Sequence, residues 1–127
     1  MTERSQIEQL VKELHAARLA GDLERLCRVY APDAQLRIAG SSDGKPIAID
    51  ASRLSNIRPW LSILVKTFRL SHYELLSLTI EGASASAHWR VDIESKITGI
   101  SIPTELVDLI EVRNGRISSQ IEFFVPC

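Results

Sequence analysis

The sequence is poor in the residues that announce specialised chemistry. It has two cysteines, Cys27 within a helical pattern and Cys127 at the last position. They form neither a metal-binding nor a redox spacing, and a reducing cytoplasm is the expected setting. An excess of either charge is also lacking: 15 Lys and Arg face 16 Asp and Glu, a formal net charge of −1. The clustered cations of a nucleic-acid footprint are therefore not expected. No stretch approaches the roughly eighteen apolar residues of a membrane span, and the first six residues lack the basic and apolar regions of a signal peptide. There is no Gly-x-Ser-x-Gly elbow, phosphate loop or dinucleotide fingerprint. The three histidines have no His-x-His or His-x3-His spacing, so neither a metal nor a cofactor is expected.

What is present is ordinary globular composition. With 127 residues, 45% hydrophobic and 24% charged, the chain can bury one real core, and one domain over 1–127 is expected. Ser5 followed by Glu8 is a capping-box pattern. Ile7, Leu10, Val11, Leu14 and Ala17 then recur at helical steps to about residue 19. Gly21 stops that helix, and Asp22 caps a shorter one carrying Leu23, Leu26 and Val29. A short strand is expected over 34–39 and a loop over 40–46. A third helix is expected over 51–67, with Pro59 marking either a kink or its true first turn. From Phe68 onward the period turns to alternation, giving four strands near 68–80, 84–96, 100–113 and 116–125. Asn114-Gly115 is the strongest hairpin signal between them. Three helices cannot cover both faces of such a sheet. The expected class is α+β, three N-terminal helices packed on a strongly curved antiparallel sheet that encloses a pocket.

Two strands alternate with an unusual polar side. Trp89, Val91 and Ile93 point one way, opposite His88, Arg90, Asp92 and Glu94; Ile117, Ser119, Ile121, Phe123 and Val125 point one way, opposite Ser118, Gln120, Glu122 and Phe124. One reading sets the apolar rows against the helices and the charged rows in water. The other reverses the faces. Arg90, Asp92 and Glu122 then look into the hollow, and the apolar rows are buried in a homodimer through the outer sheet face. Alternation alone does not choose between them.

The order of elements resembles the nuclear-transport-factor-2-like superfamily. So does Ala20-Gly-Asp-Leu-Glu-Arg-Leu-Cys-Arg-Val-Tyr-Ala-Pro-Asp-Ala34, as a helix entry and strand exit. That group includes ketosteroid isomerases, SnoaL-type polyketide cyclases, scytalone dehydratase and limonene-1,2-epoxide hydrolases. The ketosteroid-isomerase pattern maps its tyrosine, base and oxyanion acid onto Leu14, Ile38 and Asp108, of which only Asp108 is kept. The epoxide-hydrolase pattern fits the C-terminal half better: Arg90-Val91-Asp92 matches its Arg-Val-Asp segment, and Glu122 falls where its second acid lies. Its water-holding pair maps onto Leu36 and Ile38.

The resemblance implies a catalytic set of Arg90, Asp92 and Glu122. Glu122 would be the base towards water or a C–H, Asp92 the acid towards a leaving oxygen, and Arg90 would orient both. It also implies a pocket wall of Leu14, Leu36, Ile38, Trp60, His88, Asp108, Gln120 and Phe124, and a small apolar or weakly polar ligand. His15 is expected to face solvent and His72 to be an edge residue. The rival expectation is a non-catalytic ligand-binding or dimerisation module of the same fold.

Overall fold

The structure is a computed structural model that describes residues 3–42 and 44–127. Helix α1 (Glu3–Ala20) runs on past the expected cap, so Ser5 lies inside it. Its stripe of Ile7, Val11, Leu14 and Ala17 is buried, as the three- and four-residue spacing requires. Gly21 takes φ +65° just past its end, where a residue without Cβ is favoured. Asp22 caps α2 (Leu23–Cys27), its carboxylate accepting from Arg25 N–H at 3.1 Å. Helix α3 (Leu54–Thr67) starts a turn before Pro59, which therefore sits inside the helix rather than at its beginning.

The strands are β1 (Tyr30–Ser42), β2 (Lys45–Ser52), β3 (Phe68–Glu81), β4 (Ser84–Ser95), β5 (Ser101–Arg113) and β6 (Arg116–Pro126). Strand β2 corrects the sequence reading, which ended a loop at 46, began a helix at 51 and assigned nothing between. Of the expected loop, Gly44 is a turn residue between β1 and β2, and Asp43 lies outside the described residues. Pro46 in β2 is compatible with a strand because β2 is an edge. The sheet order is β2-β1-β6-β5-β4-β3. All pairings are antiparallel except β1 with β6, which is parallel, so the sheet is not antiparallel throughout. The Asn114-Gly115 turn forms as expected, with φ +53° and +75° at its two residues.

Two clusters make the core. The larger joins α1, α2 and α3 to Leu36, Ile38, Ala85, Ala87, Ile110 and Ile117 of the sheet. The smaller is Trp89, Val91 and Leu106, closed by Leu19, Leu70 and Tyr73. Strand β3 is bulged about His72, which takes φ +54°, and such bulges bend the sheet.

A second irregularity positions the site. On β6, Ile117 pairs with Val112 and Ser119 with Glu111, so Ser118 is an extra residue. The pleat is reset there. Ile117 is buried, and Gln120 and Glu122 are buried on the same concave side instead of opposite it.

Candidate functional site

Under α3 the curved sheet leaves a cavity of about 510 Å³. Its wall is apolar, with Ile38, Ile49, Trp60, Leu70, Ile93 and Phe124 among its residues, and it meets solvent near Ile63 and Ile100. Gly40 lies behind Phe124, so close that a Cβ there would come within 2.6 Å of the ring. Among the described residues, the charged side chains that line this cavity are Arg18 and Glu122.

Arg18 occupies the next inward position of the α1 stripe after Val11 and Leu14, one turn from the helix end. Its Nη1 donates to Glu122 Oε2 at 2.8 Å, both side chains nearly buried. The guanidinium also stands 5.7 Å from the centroid of the Trp89 ring. The cation is thus packed on an aromatic face and paired on its far side.

Behind Glu122 lies a second carboxylate. Asp108 on β5 is the register partner of Glu122 on β6, is fully buried and shares the Gln120 amide donor with it. Three N–H groups converge on Asp108. His15 Nε2 and Trp89 Nε1 reach Oδ2, each at 2.9 Å, and Gln120 Nε2 reaches Oδ1 at 3.1 Å. Gln120 in turn accepts from the Tyr30 hydroxyl, and His15 Nδ1 meets Tyr73 Oη at 2.7 Å. Among the described residues, every buried side-chain nitrogen and oxygen has a partner, as low-dielectric burial demands.

The electrostatics follow from the geometry. Burial pushes Glu122 up to about 7; Arg18 pulls it back, and Asp108 adds to the rise. Burial also raises Asp108, against the donors around it. The proton of the pair resides on Glu122, because the Trp89 and Gln120 N–H groups favour an ionised Asp108. His15 is driven down to about 4 by burial and then by the nearby Arg18 cation, so near neutrality it is uncharged. An uncharged ring facing an ionised Asp108 carries its hydrogen on Nε2 and accepts from Tyr73 at Nδ1.

The expected catalytic set is not brought together. Glu122 lies on the floor of the cavity, but Arg90 and Asp92 lie on the convex face. Arg90 pairs there with Glu74 at 2.8 Å and Asp92 with the exposed His72 at 3.0 Å. Neither face reading holds for both strands. On β4 the tryptophan row packs under α1, and on β6 the acidic row faces the hollow. The Ser118 bulge is the physical reason, since it reverses one strand without the other.

His88 is a further correction: it faces outward and meets Glu105 at 2.8 Å. His15 is another, being 1% exposed rather than solvent-facing. Ile38, Trp60 and Phe124 do line the cavity, whereas Leu14 and Leu36 belong to the packed core and Asp108 and Gln120 to the layer behind the floor. Arg18 was not anticipated. Its signal was legible: a charge continuing the 7, 11, 14 stripe by a step of four.

A family model described as a SnoaL-like domain matches residues 11–120. No curated protein matches the chain in sequence. Solved structures share the fold at low identity. A candidate isomerase from Bacillus subtilis has 18% identity and a TM-score of 0.84, over 98% of this chain and 90% of that one. A nuclear-transport-factor-2-like protein from Burkholderia xenovorans has 21% identity and a TM-score of 0.76, over 95% and 90%. An LEH-like epoxide hydrolase from M. tuberculosis has 12% identity and a TM-score of 0.73, over 95% and 84%. At these identities the likeness is one of fold.

Proposed function

Since the chain belongs to the SnoaL-like domain family, whose fold leaves chemistry to be argued from the site, we propose that it is an acid–base enzyme acting on a small neutral molecule. The substrate is largely apolar and carries one oxygen. One observation carries this reading: a single carboxyl and a single guanidinium are the charged groups lining a largely apolar cavity of about 510 Å³, whose other polar side chains are the hydroxyls of Ser95, Thr98 and Thr104, and burial holds that carboxyl's pKa up at about 7. A general acid or base works best when its pKa lies near the ambient pH.

Glu122 gives or takes the proton. Arg18 holds the carboxylate when it forms and offers its remaining N–H groups to charge developing on the substrate oxygen. Proton transfer beside a carbonyl, or protonation of an epoxide or hydroxyl leaving group, both fit this pair. The isomerase and hydrolase descriptions of the structural neighbours point to the same range. A charged substrate is disfavoured because the Arg18 cation is already balanced by the ionised Asp108 behind the floor.

The test begins with a thermal-shift screen of neutral enones, lactones and epoxides, since a specific ligand raises stability by mass action. Turnover of the compound found is then measured in Glu122→Gln. A loss of about two to four powers of ten is expected. Undiminished turnover would remove Glu122 from the chemistry and leave a binding module.

We infer too that the convex face pairs with a second copy of the chain. Val107 faces Phe123 and Leu109 faces Ile121 across β5 and β6, and Leu109, Phe123 and Val125 are 40%, 43% and 63% exposed. Contiguous apolar side chains of this kind on a sheet suit a two-fold interface. Light scattering is expected to give twice 14.2 kDa, and Phe123→Glu to give the single chain; a wild-type protein already at the single mass overturns the inference.

A further inference from the structure

The cavity opens at one end of the sheet, and the strand register fixes what meets there. Gly40 pairs with Phe124, Thr104 with Pro126, Glu94 with Ser101 and Phe68 with Ser95. The β1–β2 turn, the end of β6, the β4–β5 turn and the junction of α3 with β3 therefore share one rim. Six residues both line the cavity and stand in solvent: Ile47, Trp60, Ile63, Phe68, Ile100 and Ile102, between 36% and 61% exposed. Ile97, in the β4–β5 turn, projects furthest, at 83% exposed. The mouth is thus ringed by aliphatic and aromatic side chains continuous with the apolar wall inside, a patch of the kind that marks an interaction surface.

Charge completes the pattern. Every lysine except Lys12 lies on this rim. Lys45 shares the face of Ile47 by alternation on β2. Lys66 follows Ile63 by three residues on α3, and Lys96 precedes Ile97 in the turn. All three are exposed. The Lys96 ammonium lies against the end of α3, donating to the Val65 carbonyl at 3.0 Å. Residues 44–49, 60–70 and 95–102 contain no Asp or Glu, although the whole chain has a formal net charge of −1. Asp43 lies outside the described residues.

We propose that this rim docks on an anionic lipid surface, with the cavity mouth facing the bilayer. The isoleucines and Trp60 enter the headgroup boundary, and the lysines keep their ammonium groups among the phosphates. A second copy of the chain fits this face less well, because two-fold pairing of the rims would set lysines against lysines. An apolar ligand that partitions into the bilayer then reaches the cavity without passing through water. Docking is independent of the role of Glu122 and is tested with no substrate present.

The full chain is floated with vesicles of phosphatidylcholine alone and with vesicles holding an equal part of phosphatidylglycerol. Binding to the mixed vesicles is expected, weakened by salt, and poorer on phosphatidylcholine alone by about tenfold or more. Brominated acyl chains are expected to quench the exposed Trp60 and to spare the buried Trp89. Lys45→Gln with Lys66→Gln is expected to lose about fivefold for each lysine. Ile63→Asn with Ile100→Asn is expected to abolish flotation; both side chains are at least half exposed, so packing is not at stake. No flotation with the mixed vesicles, or flotation undiminished in the isoleucine pair, overturns the docking and leaves the catalytic reading of Glu122 standing. A solution mass that falls in the isoleucine pair assigns the rim to a second copy and overturns it too. Full turnover in Glu122→Gln beside normal flotation overturns the catalytic reading alone.

Discussion

Asp108 and Glu122 face each other across β5 and β6, and one amide nitrogen, Gln120 Nε2, reaches an oxygen of each, at 3.1 and 3.5 Å. Two carboxyls this close with one Arg18 guanidinium beside them cannot both ionise cheaply in a dry interior. One proton is therefore retained between them, and the donors crowding Asp108 assign it to Glu122.

Replacing Asp108 by Asn removes the negative neighbour and the acceptor of that proton. The Glu122 pKa is expected to fall from about 7, observable by carbon-13 carboxyl NMR. The acidic limb of any pH–rate profile is expected to move down with it.

Arg18→Met keeps length and packing but removes the cation that lowers the Glu122 pKa. That carboxyl is then expected to titrate above about 7, and His15, freed of a repelling charge, also to titrate higher. Stability is expected to drop by less than the about 3–5 kcal/mol typical of a broken buried pair, because Glu122 can remain neutral. Paired NMR titration and urea unfolding check both statements.

The pH dependence of folding separates two opposing groups. Glu122 has a raised folded pKa, about 7 against 4.5. Its contribution is complete below about 4.5 and is lost as pH rises through about 7, where the native state has had to release the proton. His15 has a lowered folded pKa, about 4 against 6.5, and its contribution is present above about 6.5 and lost as pH falls through about 4. Between about 4.5 and 6.5 the two slopes oppose. Glu122→Gln is expected to leave the unfolding free energy rising with pH across that window relative to wild type. His15→Phe is expected to leave it falling. Urea titrations at a series of pH values read both signs.

Gly40→Ala places a methyl against the Phe124 ring, 2.6 Å from its nearest atoms. The ring borders open cavity and can turn into it, so the stability cost is expected near the lower end of the about 1–3 kcal/mol for overpacking. The cavity narrows, and affinity for bulky ligands is expected to fall more than for slender ones, as calorimetry would show.

Local signals carried most of the fold. The α1 stripe, the Asp22 cap, the Asn114-Gly115 turn and the β3–β6 alternation all follow from propensities acting within a few residues. Strand β2 did not, because Lys45–Ser52 contains Pro46 and small residues, and its pairing partner β1 is settled by tertiary contacts. The parallel contact of β1 with β6 spans the whole chain and leaves no local trace.

For the site, Glu122 was legible as an unusual acid in an apolar strand, and Ile38, Trp60 and Phe124 as cavity wall. Arg90 and Asp92 misled because the Arg-Val-Asp resemblance tied their row on β4 to that of Glu122 on β6, and Ser118-Ser119 gives no sign of the bulge that sets the two rows on opposite faces. Arg18 and His15 were passed over because charge on a helix near its end usually faces water.

The extra serine also says what this strand can lose without losing its acid. Delete Ser118 and the alternation runs unbroken, with Ile117, Gln120 and Glu122 still towards the hollow and Ile121 and Phe123 still outside. The hairpin end of the strand can therefore shorten by one residue with the chamber unaltered. An acidic floor in this architecture is gained or shed by exchanging the residues that form it, not by trimming the turn that leads to them.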